Sequence, residues 1–428
     1  MDRREFLKAF GGAALAGLAP ACLAQLLPSS AVTAFALDGK VNTTNKVVVL
    51  FLRGAIDGLS VVVPYGDPRY YQVRPKIAIA KPGEELGAIK LDGTFGLHPS
   101  LAPLMPLWQN KTLSFHLNCG SPDPTRSHFD AQDYMESGVP GTKVVPSGWM
   151  NRLLSQLPNN GSPVRALNVG TTTPRILQGP IASATYAPSP KRKPSMVESP
   201  YIARAFEKMY DGRKDDLGNA FAQGMEARAT ITEKLSDQGT PEQMQQMTAA
   251  DQGAIQATKF TGFGRQLGKL IREEPKVQVA FVDLGGFDTH VNQGNGKGQL
   301  ANHLNVLGTG LSELATALGP TYQNTLVLVM SEFGRTVKEN GNAGTDHGHG
   351  NFIWMMGGAV AGGKLHGNWD GIGQNSLYEG RDLPVLTDFR SVVGPMVAEH
   401  MGLSKVQLAN IFPEYKLNYS TGTSLLKS

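Results

Sequence analysis

Four segments of the chain are almost continuously apolar: KVVVLFL (46–52), TLSFHLN (112–118), VQVAFVDLGG (277–286) and TLVLVMSEFG (325–334). Runs of β-branched and apolar residues without polar alternation predict strands buried on both faces. Two intervening segments repeat their apolar residues at helical spacing instead. SLAPLMPLWQN does so despite two prolines, and QLANHLNVLGTGLSELATALG extends the pattern over a long helix. Strands alternating with helices predict an α/β fold whose mostly parallel sheet is covered on both faces. The texture changes between Tyr186 and Pro275, where the Pro/Ser/Lys-rich YAPSPKRKPSMVESP leads into polar, helix-favouring segments. This stretch, about residues 186–275, reads as a helical insertion, either a lid over the sheet edge or a solvated surface excursion.

The first residues follow a different rule. MDRREFLKAFGGAALAGLAPACLAQ sets Arg3 and Arg4 before Phe6, Leu7 and Lys8, then stays uncharged and rich in Gly and Ala to Ala36. A basic start, a mild apolar run and small residues at a cleavage point describe a signal peptide. The form R-R-x-F-L-K resembles the twin-arginine export signal, with Asp2 where Ser or Thr is more usual. AFA (34–36) supplies the cleavage pattern, so residues 1–36 read as the signal and 37–428 as a periplasmic or secreted domain. Gly11, Gly12, Gly17 and Pro20 disfavour an N-terminal amphipathic helix. Ala21-Cys22 meets only the last step of a lipoprotein signal, which makes a lipid anchor at Cys22 the lesser alternative. Cleavage leaves Cys119 as the sole thiol, so no internal disulfide forms and the core alone must hold the fold.

Composition narrows the function only slightly. A hydrophobic share of 41% is ordinary for a globular domain. A net charge of +4 with no Lys/Arg stripe and no stacking-aromatic pattern argues against nucleic acid as a partner.

The candidate chemistry sits just after the strands. In an open α/β sheet, ligands bind at the carboxyl ends, where loops bring side chains together. The first run is followed by Asp57 between glycines; the second by Ser121, Thr125, Arg126, Ser127, His128 and Asp130. GGFDTH brings Asp288 and His290, SEFGRT brings Glu332 and Arg335, and GTDHGHGN brings Asp346, His347 and His349. Each has a plain structural alternative. Asp57 can shape a turn, Asp288 and Thr289 can cap a helix, Glu332 and Arg335 can pair, and Ser127 can be a helix cap. GTDHGHGN can be no more than a tight capped turn. Taken together, imidazole plus carboxylate is a ligand set for zinc or manganese, and its oxygen-rich variants suit magnesium or calcium. His98, His116, His303 and His400 read as core or surface histidines.

FLRGAIDGLSVVVPYGDPRYY, GLHPSLAPL, RSHFDAQDYMESG, GGFDTH, SEFGRTVKENGNAGTDHGHGN and GGKLHGNWDG together resemble the bacterial domain-of-unknown-function family 1501. The resemblance runs from about residue 45 to beyond residue 390. It implies twin-arginine export and a three-layer α/β/α fold like that of alkaline phosphatases and sulfatases, with a mostly parallel central sheet. Against that superfamily, PDPTR places Pro122 where sulfatases carry their nucleophile, which argues against formylglycine chemistry; Ser127, within RSHFDAQ, is the expected nucleophile or substrate-facing hydroxyl, with Ser121 and Thr125 behind it. VMSEFG offers Glu332 and Phe333 where phosphatases carry an Asp-His metal pair, so one metal or a remodelled pair is expected.

The expected function is therefore an exported, divalent-metal-dependent hydrolase of phosphate, sulfate or related esters. Asp57, Asp288, His290, Glu332, Asp346, His347 and His349 are the candidate ligands, Ser127 the nucleophile, and Arg126 or Arg335 the grip on the anion. The substrate would be a small anionic ester or a glycan- or lipid-linked ester. The rival is a non-hydrolytic periplasmic protein that holds metal or binds a partner on the same scaffold. The export signal has its own test. Replacing Arg3 and Arg4 with Lys should leave precursor in the cytoplasm on cell fractionation, and an unchanged periplasmic yield would refute recognition by the twin-arginine machinery.

Overall fold

The computed structural model describes residues 39–170, 172–186, 251, 254–257, 260–416 and 424–427. The signal segment, Cys22 and most of the expected insertion lie outside them. Each buried apolar run forms a strand: β1 (Lys46–Leu52), β2 (Leu113–Gly120), β3 (Ala166–Val169), β4 (Ala184–Tyr186), β5 (Val279–Gly285), β6 (Thr325–Met330) and β7 (Asn351–Met356). Among the described residues they build one large sheet in the order β2-β7-β6-β1-β5-β3-β4, with short added strands beside β2 and β5. β1 lies at its centre, in parallel register with β6 (Val48 opposite Val327) and with β5 (Val48 opposite Ala280). Only β7 runs against its two neighbours.

Strand period decides the two faces of β1. Val48, Leu50 and Leu52 enter a core with helices α3 (Phe260–Glu273) and α4 (Gln299–Leu318). Val47, Val49 and Phe51 enter a second core with α2 (Trp149–Gln156), α5 (Phe389–Met401) and α6 (Lys405–Ile411). Every β1 residue is buried, as a strand covered on both sides must be. The protein is thus a three-layer α/β domain. Ile255–Gln256 pairs with β5 and α3 packs on α4, so the described residues at the end of the 186–275 stretch belong to these layers. The remaining helix that matters for the site, α1 (His128–Ser137), follows β2 and starts from the cap residue Ser127.

The contact between α3 and α4 depends on glycine. A Cβ on Gly264 would stand 2.1 Å from the Gly310 carbonyl oxygen, and one on Gly268 would stand 2.7 Å from that of Leu314. Both approaches are shorter than atoms tolerate, so the helices sit too close for any larger residue. Gly262, on the same helix, has nothing within 4 Å of its would-be Cβ. Gly264→Val should therefore lower unfolding stability by about 1–3 kcal/mol through overpacking. Gly262→Ala should be neutral or stabilising by up to about 1 kcal/mol through helix propensity. Urea titration of both variants distinguishes the two positions, and equal effects would contradict the packing account.

Candidate metal centre

The loops after β1, β5 and β6 meet at the carboxyl edge of the sheet, and the start of α1 joins them. Backbone contact fixes the GTDHGHGN loop there. Arg335 and His347 form an antiparallel bridge, and Thr336 N donates to the Asp346 carbonyl at 2.9 Å. A Cβ on Gly344 would lie 2.2 Å from the His290 carbonyl oxygen, and one on Gly348 would lie 2.5 Å from the Arg335 backbone. Those glycines let the loop after β6 fold back on itself and lie against the loop after β5.

Four side chains converge at this point. His347 Nε2 is 2.9 Å from His128 Nε2 and 3.0 Å from His290 Nε2. Asp288 Oδ1 lies 2.9 Å from His290 Nε2, 3.4 Å from His347 Nε2 and 3.6 Å from His128 Nε2. Each ring has its other nitrogen engaged: His128 Nδ1 with Glu332 Oε1 at 2.8 Å, His290 Nδ1 with Asp346 Oδ1 at 3.2 Å, and His347 Nδ1 with the Arg126 carbonyl at 3.0 Å. Carboxylate and carbonyl oxygens only accept, so each Nδ1 is the donor and each neutral ring turns an Nε2 lone pair inward. Lone pairs packed this closely repel unless a proton or a metal ion lies among them.

The donor set fits a metal. Zinc–nitrogen bonds of about 2.0–2.1 Å place tetrahedral ligand atoms about 3.3 Å apart, and the contacts above bracket that spacing. His128, Asp288 and His347 have ligand atoms all within 4.8 Å of one another, and His290 stands beside two of them. Burial opposes charge on His128, but the Asp288 and Glu332 carboxylates beside it outweigh that and raise its pKa to about 9. Burial likewise opposes charge on Glu332, yet His128 and Gln132 lower it to about 2, and His128, His347 and Arg335 hold Asp288 far below the usual carboxylate range. His128 is then protonated at neutral pH, and an incoming ion must displace that proton.

The expected site residues divide sharply. Asp288, His290 and His347 are in the cluster, and Glu332 and Asp346 stand behind its rings. Glu332 is fully buried and also accepts from Gly54 N and Gln132 Nε2, both at 2.8 Å. Asp57 is elsewhere: Arg74 binds both its oxygens at 2.6 and 3.0 Å, with Ser60 and Gln293 each adding a bond at 2.7 Å. This buried ion pair occupies the lone pairs a metal would need. Arg335 is no anion grip, because its buried guanidinium is turned inward to the carbonyls of Gly54, Ala55, Phe287 and Thr345 and to Asp288. Arg126 pairs with Glu379 at 2.7 Å and Asp382 at 2.8 Å. His349 points away from the cluster and packs on Tyr378, with ring centroids 4.5 Å apart. Ser127 is exposed, and its Oγ accepts a long 3.5 Å bond from Asp130 N.

Sequence reasoning placed His128 in the right loop without giving it a role. Its signal was the RSHFDAQ pattern, a capped helix start that sets His128 and Gln132 one turn apart, both reaching Glu332.

Comparison with known proteins places these features in a family. The model of a family described as "Protein of unknown function (DUF1501)" matches residues 44–412. No curated protein matches the sequence. Among solved structures, the chain is similar to Ps i-CgsB in complex with k-i-k-neocarrahexaose: TM-score 0.40, 11% identity, covering 85% of this chain and 74% of that one. It is similar to the C-terminal periplasmic domain of EcEptC from Escherichia coli, with TM-score 0.38, 11% identity and coverage of 91% and 94%. A protein in the alkaline phosphatase superfamily from Vibrio parahaemolyticus gives TM-score 0.35, 8% identity and coverage of 76% and 63%.

The geometry makes the two histidines of GTDHGHGN unequal. His347→Ala should strip metal from dialysed protein, whereas His349→Ala should retain it. Glu332→Gln, which leaves His128 in reach of a weaker acceptor, should reduce metal affinity by about 10- to 100-fold. Plasma emission analysis of the variants checks all three, and full metal in His347→Ala would remove that ring from the coordination set.

Proposed function

We propose that this chain, which belongs to the DUF1501 family of proteins of unknown function, is a metal-dependent hydrolase of phosphate, sulfate or related esters. One observation carries the reading: imidazole Nε2 atoms and a carboxylate converge at the strand ends, each ring oriented through its second nitrogen. Asp288, His128 and His347 would hold zinc or another divalent ion, with His290 completing the set. A bound ion would polarise the ester oxygen and promote ionisation of a hydroxyl nucleophile. The protein's part is to keep those donors in place and present the substrate. Asp288, His347 and His290 have side chains 28%, 27% and 38% exposed, so an ester can reach them.

Ser127 is the proposed nucleophile. The residues on either side both touch the cluster, Arg126 through its carbonyl and His128 through its ring. Its hydroxyl is free of any short bond and sits at the N-terminus of α1, where the helix favours negative charge. The 1–36 signal belongs to the same reading, which has the enzyme work outside the cytoplasm after twin-arginine export.

A second reading, a periplasmic protein that holds metal without turnover, draws on the pairing of Arg126 with Glu379 and Asp382. That pairing engages Arg126 Nη2, and the Arg335 guanidinium is turned inward to carbonyls and Asp288. Purified protein with measured metal content, screened on aryl phosphate, phosphodiester and sulfate esters, separates the two. Metal without turnover of any ester selects the second. If turnover is found, Ser127→Ala should abolish it while leaving metal content unchanged. Loss of a cap alone predicts retained activity and a stability loss of at most about 1 kcal/mol, since the 3.5 Å cap bond is weak.

A further inference from the structure

The helix that delivers His128 also lines a second space. Behind the metal cluster lies a cavity of about 470 Å³ whose wall includes Arg53, Phe129, Asp133, Thr173, Arg175 and Asp283. That volume falls in the range of small-molecule sites, about 300–1,000 Å³. A wall shared by hydrogen bonds joins the two spaces. Arg53 donates to Gln132 at 2.6 Å, Gln132 donates to Glu332 at 2.8 Å, and Glu332 holds His128.

The charges in the cavity are already matched. Arg53 binds Glu136 at 2.9 Å and Asp283 at 2.8 Å, and Arg175 binds Asp133 at 2.7 Å. A phosphate or sulfate entering here would have to break such pairs and leave carboxylates stranded, which is strongly unfavourable for buried groups. The cavity therefore does not suit the acid group of an ester. What it offers is of another kind. Phe129, the residue after His128, is 58% exposed and supplies an apolar ring face at its edge. Thr172 and Thr173, both exposed residues, add hydroxyl-bearing side chains to the wall.

We propose that this cavity is a sugar subsite, binding a neutral, hydroxyl-rich ring that stacks on Phe129 and hydrogen-bonds to the threonines. An aromatic face with convergent polar groups and no free charge recognises such a ring, since its C–H face is apolar and its rim is polar. Resting on the hydrolase reading, the subsite assigns the substrate class as a sugar ester. Binding of the sugar itself needs no turnover, so it is tested separately.

The test uses the full mature chain and saturation-transfer-difference NMR with a panel of neutral methyl glycosides and disaccharides, with ethanolamine and inorganic phosphate as comparators. At least one glycoside should give ring-proton signals that fall several-fold in Phe129→Ala and in Thr173→Ala. Phe129 is largely exposed, so its variant should keep wild-type melting temperature and metal content. Three results would overturn the subsite: no saccharide binding at millimolar concentration, binding unaffected by both substitutions, or preference for ethanolamine over every sugar. Sugar binding with no ester turnover would sustain the subsite while refuting the hydrolase reading.

Discussion

The site is organised by electrostatic repulsion that only a cation relieves. His128, His290 and His347 are each tied at Nδ1 to an oxygen acceptor, which turns their Nε2 lone pairs toward Asp288. A protein that left this centre uncharged would pack imidazoles against one another with nothing between them. The Asp288 and Glu332 carboxylates beside His128 raise its pKa to about 9. Glu332 also orients the His128 ring for a metal, because an acceptor at Nδ1 raises the basicity of Nε2.

Two buried arginines make this arrangement rigid. Arg335 ties together the loops after β1, β5 and β6 by donating to carbonyls of Gly54, Ala55, Phe287 and Thr345 while it fixes Asp288. Arg74 does similar work one step away, locking Asp57 and the Thr336 and Val337 carbonyls. Planar forks suit the task, since each spreads several donors over fixed directions. Breaking the buried Arg74–Asp57 pair from one side would strand a charge, a cost of about 3–5 kcal/mol. The loops are therefore braced from within, and the cluster residues need little backbone adjustment to take up an ion.

Much of this was legible in the sequence, and the failures share a cause. Strands such as KVVVLFL declare themselves because a central parallel strand must be apolar on both faces, and the loops after them concentrated Asp288, His290 and His347 as expected. Partner identity was the hidden part. Asp57 looked like a ligand because Arg74, within YYQVRPK, gave no sign of being fully buried. Arg335 looked like an anion grip because the carbonyls it satisfies carry no sequence signature. His128 and Glu332 lie 204 residues apart, and only the folded chain brings them together. Local pattern predicts elements and candidate chemistry; long-range pairing decides which candidates stay free to act.

The central claim is that these imidazoles and Asp288 surround one divalent ion. Anomalous diffraction recorded above and below the metal edge, on crystals of the purified mature chain, tests it most directly. The account predicts a single strong peak per chain, in contact with Asp288 Oδ1 and the Nε2 atoms of His128 and His347. No peak at that position in metal-replete protein, or an ion bound only by Asp57 and its neighbours, would contradict it.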